Sequence, residues 1–212
     1  MSSESSSRRS PWRNKAVVAA LAAAMLAGPG IAQAAPQTAP QAVPVAGERA
    51  AAATITWTLV RASNPTTDQQ SAYNLITTAM NAAVARYNNL SDLGKTITVR
   101  YEPGVPTADG NINGTIRFGS NRSYMTERTA LHEIAHTIGV GTSSGWSSLG
   151  GSGTWTGAQA TALVRQFDGS SAKVSTGGGH FWPYGLNYEN EFSGTAADRH
   201  VRIVAAMKSD GL

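Results

Sequence analysis

The run His132-Glu133-Ile134-Ala135-His136 strongly constrains the element that carries it. In a helix, residues four apart lie one turn along and about 40° round the axis, so both imidazoles leave the same face. In a strand the same two side chains would stand about 13 Å apart, too far to act together. The flanking residues Ala130, Leu131, Ile134, Ala135 and Ile138 are apolar, so the helix is an inner element. Polar groups on an inner helix need a cause. Two neutral imidazoles fixed in this way make half of a tetrahedral zinc site, and Glu133 stands where it can take a proton from a water without binding the metal. The pattern predicts a helix over 124–138, with Gly139 as the residue that ends it. The chain has only four histidines, so chance is a poor explanation of the spacing.

The N-terminus reads as an export signal. Arg8, Arg9, Arg13 and Lys15 precede the apolar run Ala16–Ala32, and Ala32-Gln33-Ala34 has the small-x-small form of a cleavage site. Gly28-Pro29-Gly30 interrupts the run, which argues against a membrane span. Residues 1–34 are therefore read as a signal peptide, and the protein as secreted. The whole chain carries 17 basic and 13 acidic residues, but 1–34 hold four of the bases and one acid, leaving 13 against 12. That balance excludes nucleic acid as an expected partner. Residues 35–53, rich in Ala, Pro and Gln, read as a linker or pro-segment. Residues 54–212 suffice for one domain, expected to act as a monomer. With no cysteine, an exported chain must rely on its core or on bound metal, and neither thiolate ligands nor a cysteine nucleophile is available.

Periodicity places a first strand at 54–61, a helix at 67–89, a second strand at 96–102 and a third, Gly114-Thr-Ile-Arg-Phe-Gly119, ahead of the histidine helix. Residues 139–154 read as a Gly/Ser loop. A helix is expected to start at Thr156, with Gln159 in the reciprocal capping position, and to stop before Gly169. Residues 175–194 read as irregular, and a last helix as running from Thr195 to Ser209. The fold class is α+β, with a small mixed sheet, an active-site helix, a mostly irregular and helical C-terminal half, and a cleft between the halves.

The helix motif resembles that of the zincin metallopeptidases, and the extension His136-Thr137-Ile138-Gly139 is similar to that of the metzincins. The resemblance implies a zincin-like catalytic domain over 54–212 and a secreted zinc endopeptidase acting on extracellular proteins or peptides. It implies Glu133 as general base, and 114–119 as the sheet edge along which an extended substrate lies. An exposed edge strand is also the physically expected docking place for a peptide. The pattern departs at Thr142, where the metzincins have their third ligand and where this chain has a residue that zinc rarely takes.

The third ligand must then come from elsewhere. His180 follows three glycines in Gly177-Gly-Gly-His-Phe-Trp-Pro-Tyr-Gly185, where the backbone can come close to the helix. It is assigned as that ligand, with Glu189 and Glu191 as alternatives. His200, between Arg199 and Arg202 in the last helix, reads as a surface or capping residue. Tyr188, with Tyr184 as the alternative, is the candidate donor to an oxyanion, while packing against the Gly-rich wall is the plainer role for both. Met207 reads as core. Asp109-Gly-Asn-Ile-Asn-Gly114 matches the start of a calcium loop but lacks the closing acid at Ser120, so it reads as a turn between strands. Two other functions remain open: a zinc hydrolase of cell-wall crosslinks, and a non-catalytic module binding carbohydrate or protein through the aromatic residues of 146–192.

Overall fold

A computed structural model describes residues 53–212. The expected signal peptide, and all but the last residue of the expected linker, lie outside the described residues. The described chain is a mixed α+β fold. A four-stranded sheet has the order β1 (Ile55–Leu59), β2 (Lys95–Tyr101), β4 (Thr115–Phe118), β3 (Ala108–Gly110). The first three strands are mutually parallel and β3 is antiparallel to β4.

The period of two in the sequence decides how this sheet is covered. The registers pair Trp57 with Ile97, Leu59 with Val99, Val99 with Ile116 and Tyr101 with Phe118, so these residues lie on one face, with Ile55 opposite Lys95 at its start. Ile97, Val99, Ile116 and Phe118 are fully buried. The other face carries Thr56, Thr58, Thr96, Thr98, Arg100, Thr115 and Arg117. Parallel sheets usually need cover on both sides; here the alternation leaves one side polar, and the main helices gather on the other.

Helix α1 (Thr67–Leu90) provides the crossover that the parallel pair β1–β2 requires. It starts at a full capping box, Thr66 accepting from Gln69 N and the Gln69 side chain accepting from Thr66 N. Its face of Tyr73, Ile76, Met80, Ala83 and Tyr87 is buried against α2 (Glu127–Ile138), the histidine helix, and α5 (Gly194–Asp210). Helix α2 is shorter than expected. Residues Arg122–Tyr124 form a separate 3-10 turn, and Thr126 caps α2 by accepting from Thr129 N. No helix among the described residues is long and apolar enough to cross a membrane.

The C-terminal half departs most from the sequence reading. The Gly/Ser loop contains a short helix, α3 (Ser144–Gly150), capped by Ser143 and held by Trp146 against Trp155, ring centroids 5.9 Å apart. Helix α4 runs over Ala158–Asp168 and has no side-chain cap of its own. Instead of Thr156 and Gln159, Asp210 at the end of α5 accepts from Gln159 N, Ala160 N and Trp155 Nε1, at 2.7, 3.0 and 2.9 Å. A distant carboxylate thus supplies the negative charge and acceptors that a helix N-terminus needs. Within the segment read as irregular, β5 (Ser175–Gly177) and β6 (His180–Trp182) pair as a hairpin. Its two-residue loop, Gly178-Gly179, has φ of 55° and 83°, a pair of positive values that suits glycine.

Candidate metal centre

The helix delivers the first two imidazoles as its geometry requires. His132 and His136 are half-buried, with their Nε2 atoms 3.1 Å apart. Each Nδ1 faces a main-chain carbonyl: His132 donates to Gly185 O at 2.8 Å and His136 to Val140 O at 2.7 Å. A carbonyl only accepts, so both Nδ1 atoms carry hydrogen. Burial, with the neighbouring histidines adding to it, pushes both imidazoles below their ordinary value, keeping them neutral. Two bare Nε2 lone pairs therefore point into the same small space. This arrangement repels itself unless a cation or proton lies between them. A tetrahedral zinc with nitrogen ligands at about 2.05 Å sets them about 3.3 Å apart.

The hairpin brings His180 to the same place. Its ring stacks on His132 with centroids 5.1 Å apart and meets His136 edge-on at 5.4 Å. One nitrogen from each of the three lies within 4.8 Å of the others, the only such cluster of three or more possible metal ligands among the described residues. Glu189 and Glu191 are not part of it. Glu189 pairs with Arg128 at 3.0 Å, and Glu191 accepts from Asn187 N at 2.8 Å.

Thr142 serves the site without binding metal. Its hydroxyl donates to His136 O at 2.7 Å, satisfying a carbonyl at the end of α2. The turn after Gly139 (φ 138°) returns Val140 O to His136 Nδ1. Gly141, with φ 69°, lies against the hairpin loop: a Cβ there would stand 2.4 Å from Gly179 O. Residues 139–142 thus supply an orienting carbonyl, a cap and the close approach of two glycines that lets His180 in.

Glu133 is buried, and its carboxyl is pushed up to about 8, first by burial and then by Asp109, with Arg128 partly offsetting them. A cation among the histidines would draw it back toward the carboxylate. The three histidines and Glu133 line a cleft of about 620 Å³, together with Thr107–Gly110, Tyr124, Asn187 and Tyr188. Tyr188 is 65 % exposed on this rim. Tyr184 is tied down elsewhere, its hydroxyl donating to Asp168 at 2.6 Å.

Two expectations are corrected. The segment 114–119 is not the sheet edge, since β4 lies between β2 and β3. The edge is β3, whose Ala-Asp-Gly sequence is too short and polar to show a strand pattern. The bonds Asn111 N to Thr115 O and Gly119 N to Thr107 O set the ladder so that Ala108 and Gly110 turn their main-chain groups away from β4. Gly110 packs on the histidine helix, where a Cβ would stand 2.4 Å from Glu133 O. The second correction is His200, which is fully buried rather than at the surface. It lies among Ala197, Val201, Ile203, Val204 and Met207 on the inner face of α5, Met207 being core as expected. Its Nδ1 donates to Tyr184 O at 2.7 Å, and its Nε2 lies 3.0 Å from the Tyr87 hydroxyl, so its polar atoms are satisfied inside. The Asp109–Gly114 stretch holds the end of β3 and the turn to β4: Arg117 holds Asp109 in a forked pair, and Asn111 Oδ1 accepts from Asn113 N at 3.0 Å.

Compared with models of protein families, with curated proteins and with solved structures, the chain matches none of them.

Proposed function

We propose that the protein is a secreted zinc-dependent peptidase on a zincin-like scaffold, with His132, His136 and His180 as ligands and Glu133 as general base. The observation that carries the reading is the pair of bare Nε2 atoms 3.1 Å apart, each held by a carbonyl on its other nitrogen. Carbonyl partners of this kind typically orient metal-bound histidines. An all-nitrogen set of three, leaving a fourth position open, suits catalytic rather than structural zinc.

When bound, zinc supplies Lewis acidity, lowering the pKa of a water and polarising a carbonyl. The chain's own residues do the rest. Glu133, desolvated beside the first ligand, takes the proton of the attacking water and passes it to the leaving amine. Ala108 and Gly110 turn their main-chain groups away from β4 along the cleft, the Ala108 carbonyl held only by the Thr107 hydroxyl at 3.2 Å, so an extended peptide can add to β3 as a further strand. Tyr188, which lines the rim of the cleft, serves as the donor to the developing oxyanion. The export pattern of 1–34 makes the substrate an extracellular protein or peptide.

One preparation tests this: zinc content by mass spectrometry, and casein hydrolysis with and without a chelator and in Glu133→Gln. The expected result is one zinc per chain, loss of hydrolysis on chelation, and a fall in kcat of about 10²–10⁴ in the variant. Hydrolysis that survives the chelator or the variant ends the reading.

A further inference from the structure

Arg128 lies one turn before His132 on α2, yet it is only 4 % exposed. A buried guanidinium has to be justified by its partners. It donates through Nε to Glu189 at 3.0 Å, and through Nη1 to Leu186 O at 3.0 Å and Asn187 O at 3.3 Å, beside the ring of Tyr124. Its two carbonyl partners follow directly after Gly185, whose own carbonyl receives His132 Nδ1–H.

The backbone here is not at rest. Tyr184 and Leu186, on either side of Gly185, have φ of 67° and 55°, values that side chains other than glycine rarely adopt. Such conformations persist only where surrounding contacts impose them. His200 holds Tyr184 O on one side of Gly185, and Arg128 holds Leu186 O and Asn187 O on the other. Gly185 itself has no room for a side chain, since a Cβ would stand 1.9 Å from Phe181 O.

We propose that Arg128 is a positioning residue for the metal centre: by gripping the strained 184–187 segment it fixes the Gly185 carbonyl that holds the proton of His132 on Nδ1 and leaves Nε2 bare. Which nitrogen of an imidazole is protonated follows from the bond its other nitrogen makes. Without the grip, the segment relaxes toward ordinary backbone, the carbonyl withdraws, and the His132 proton redistributes to Nε2, the atom needed as ligand. His136 is an internal control, because its carbonyl comes from Val140, which Arg128 does not touch. The inference rests on the proposed metal site for its consequence, although the proton's position is defined without metal.

The test is ¹⁵N NMR of the imidazoles in metal-free protein at neutral pH, followed by Zn²⁺ affinity from chelator competition. In the wild type His132 is expected to hold its proton on Nδ1. In Arg128→Gln the proton shifts toward Nε2 on His132 and not on His136, and Zn²⁺ affinity falls by about 10–100-fold. Arg128→Lys and Glu189→Gln, which each keep part of the grip, give smaller shifts in the same direction and carry the test if Arg128→Gln does not fold. Folded variants that keep the His132 proton on Nδ1 and bind Zn²⁺ as the wild type does overturn the proposal. A wild type that binds no Zn²⁺ refutes the metal reading instead, and the tautomer comparison still decides the role of Arg128.

Discussion

The three histidines reach one point by two routes. His132 and His136 come from a single helix, and their spacing is a property of α-helical geometry that any four-residue step reproduces. His180 comes from a hairpin forty-odd residues on, and its place depends on contacts between segments: Gly141 against Gly179, the ring of His132 against its own, and Phe181 stacked on the buried His200 at 5.7 Å. The helix side is therefore expected to survive most changes elsewhere, whereas the hairpin side is sensitive to changes that leave the helix intact. Four bonds tie the helix to the segment that follows the hairpin: His132 to Gly185, and Arg128 to Leu186, Asn187 and Glu189.

The largest expected effect separates the two routes directly. His180→Ala leaves the helix pair in place and the fold unchanged by circular dichroism, but Zn²⁺ affinity falls by well over the roughly 100-fold that loss of an outer partner costs. Wild-type affinity in that variant would mean that the hairpin contributes no ligand. Gly141→Ala probes the same side through space alone. Its Cβ would fall 2.4 Å from Gly179 O at a φ of 69°, so the hairpin must move off the helix end. A stability loss of about 1–3 kcal/mol by urea denaturation and a further drop in Zn²⁺ affinity are expected; an alanine that changes neither shows that the approach is loose.

A third prediction uses the residue beneath the hairpin. Burial lowers the folded value of His200 to about 4, against an unfolded value near 6.5. The unfolded chain takes up this proton from about pH 6.5 downward and the folded chain only near 4. The stabilising contribution is therefore complete above pH 6.5 and is lost as pH falls toward 4, by roughly 3 kcal/mol. His200→Gln should lower stability at pH 7 and flatten its decline between pH 6.5 and 4.5. An unchanged slope would show that His200 does not titrate on unfolding. The smallest effect is expected outside the cluster: Asp210→Asn removes charge from two main-chain N–H groups at the start of α4 and from the Trp155 indole, and should cost about 1–2 kcal/mol with Zn²⁺ affinity unaltered.

Elements with a long period are legible in the residues themselves. The helix expected at 67–89 is α1 at 67–90, and the three β-rich runs are β1, β2 and β4, each within a few residues. What escapes is short and rich in glycine or small polar residues. β3 is Ala-Asp-Gly, α3 is mostly Ser and Gly, and β5 and β6 have three residues each. None of these has a preference strong enough to declare itself, and each exists because a neighbour receives it: β4 for β3, Trp155 for Trp146, and a two-glycine loop for the hairpin. The misplacement of His200 has a related cause. Arg199 and Arg202 suggest an outer face, yet a helix turns about 100° per residue, and position 200 falls in line with Ala197, Val201 and Val204.

Local sequence suffices for the helix, the side-by-side imidazoles and the carboxylate next to them, because a period of 3.6 residues acts over a few residues and needs no partner. It also favours His180 as the third ligand, by the glycines before it, with Glu189 and Glu191 left as alternatives. Packing settles the rest: how His180 arrives, which strand forms the edge of the cleft, and which carbonyls hold the two helix imidazoles with Nε2 turned inward. Those outcomes depend on close approaches and burial between segments far apart in the chain, and local preference cannot encode a distance that only packing sets.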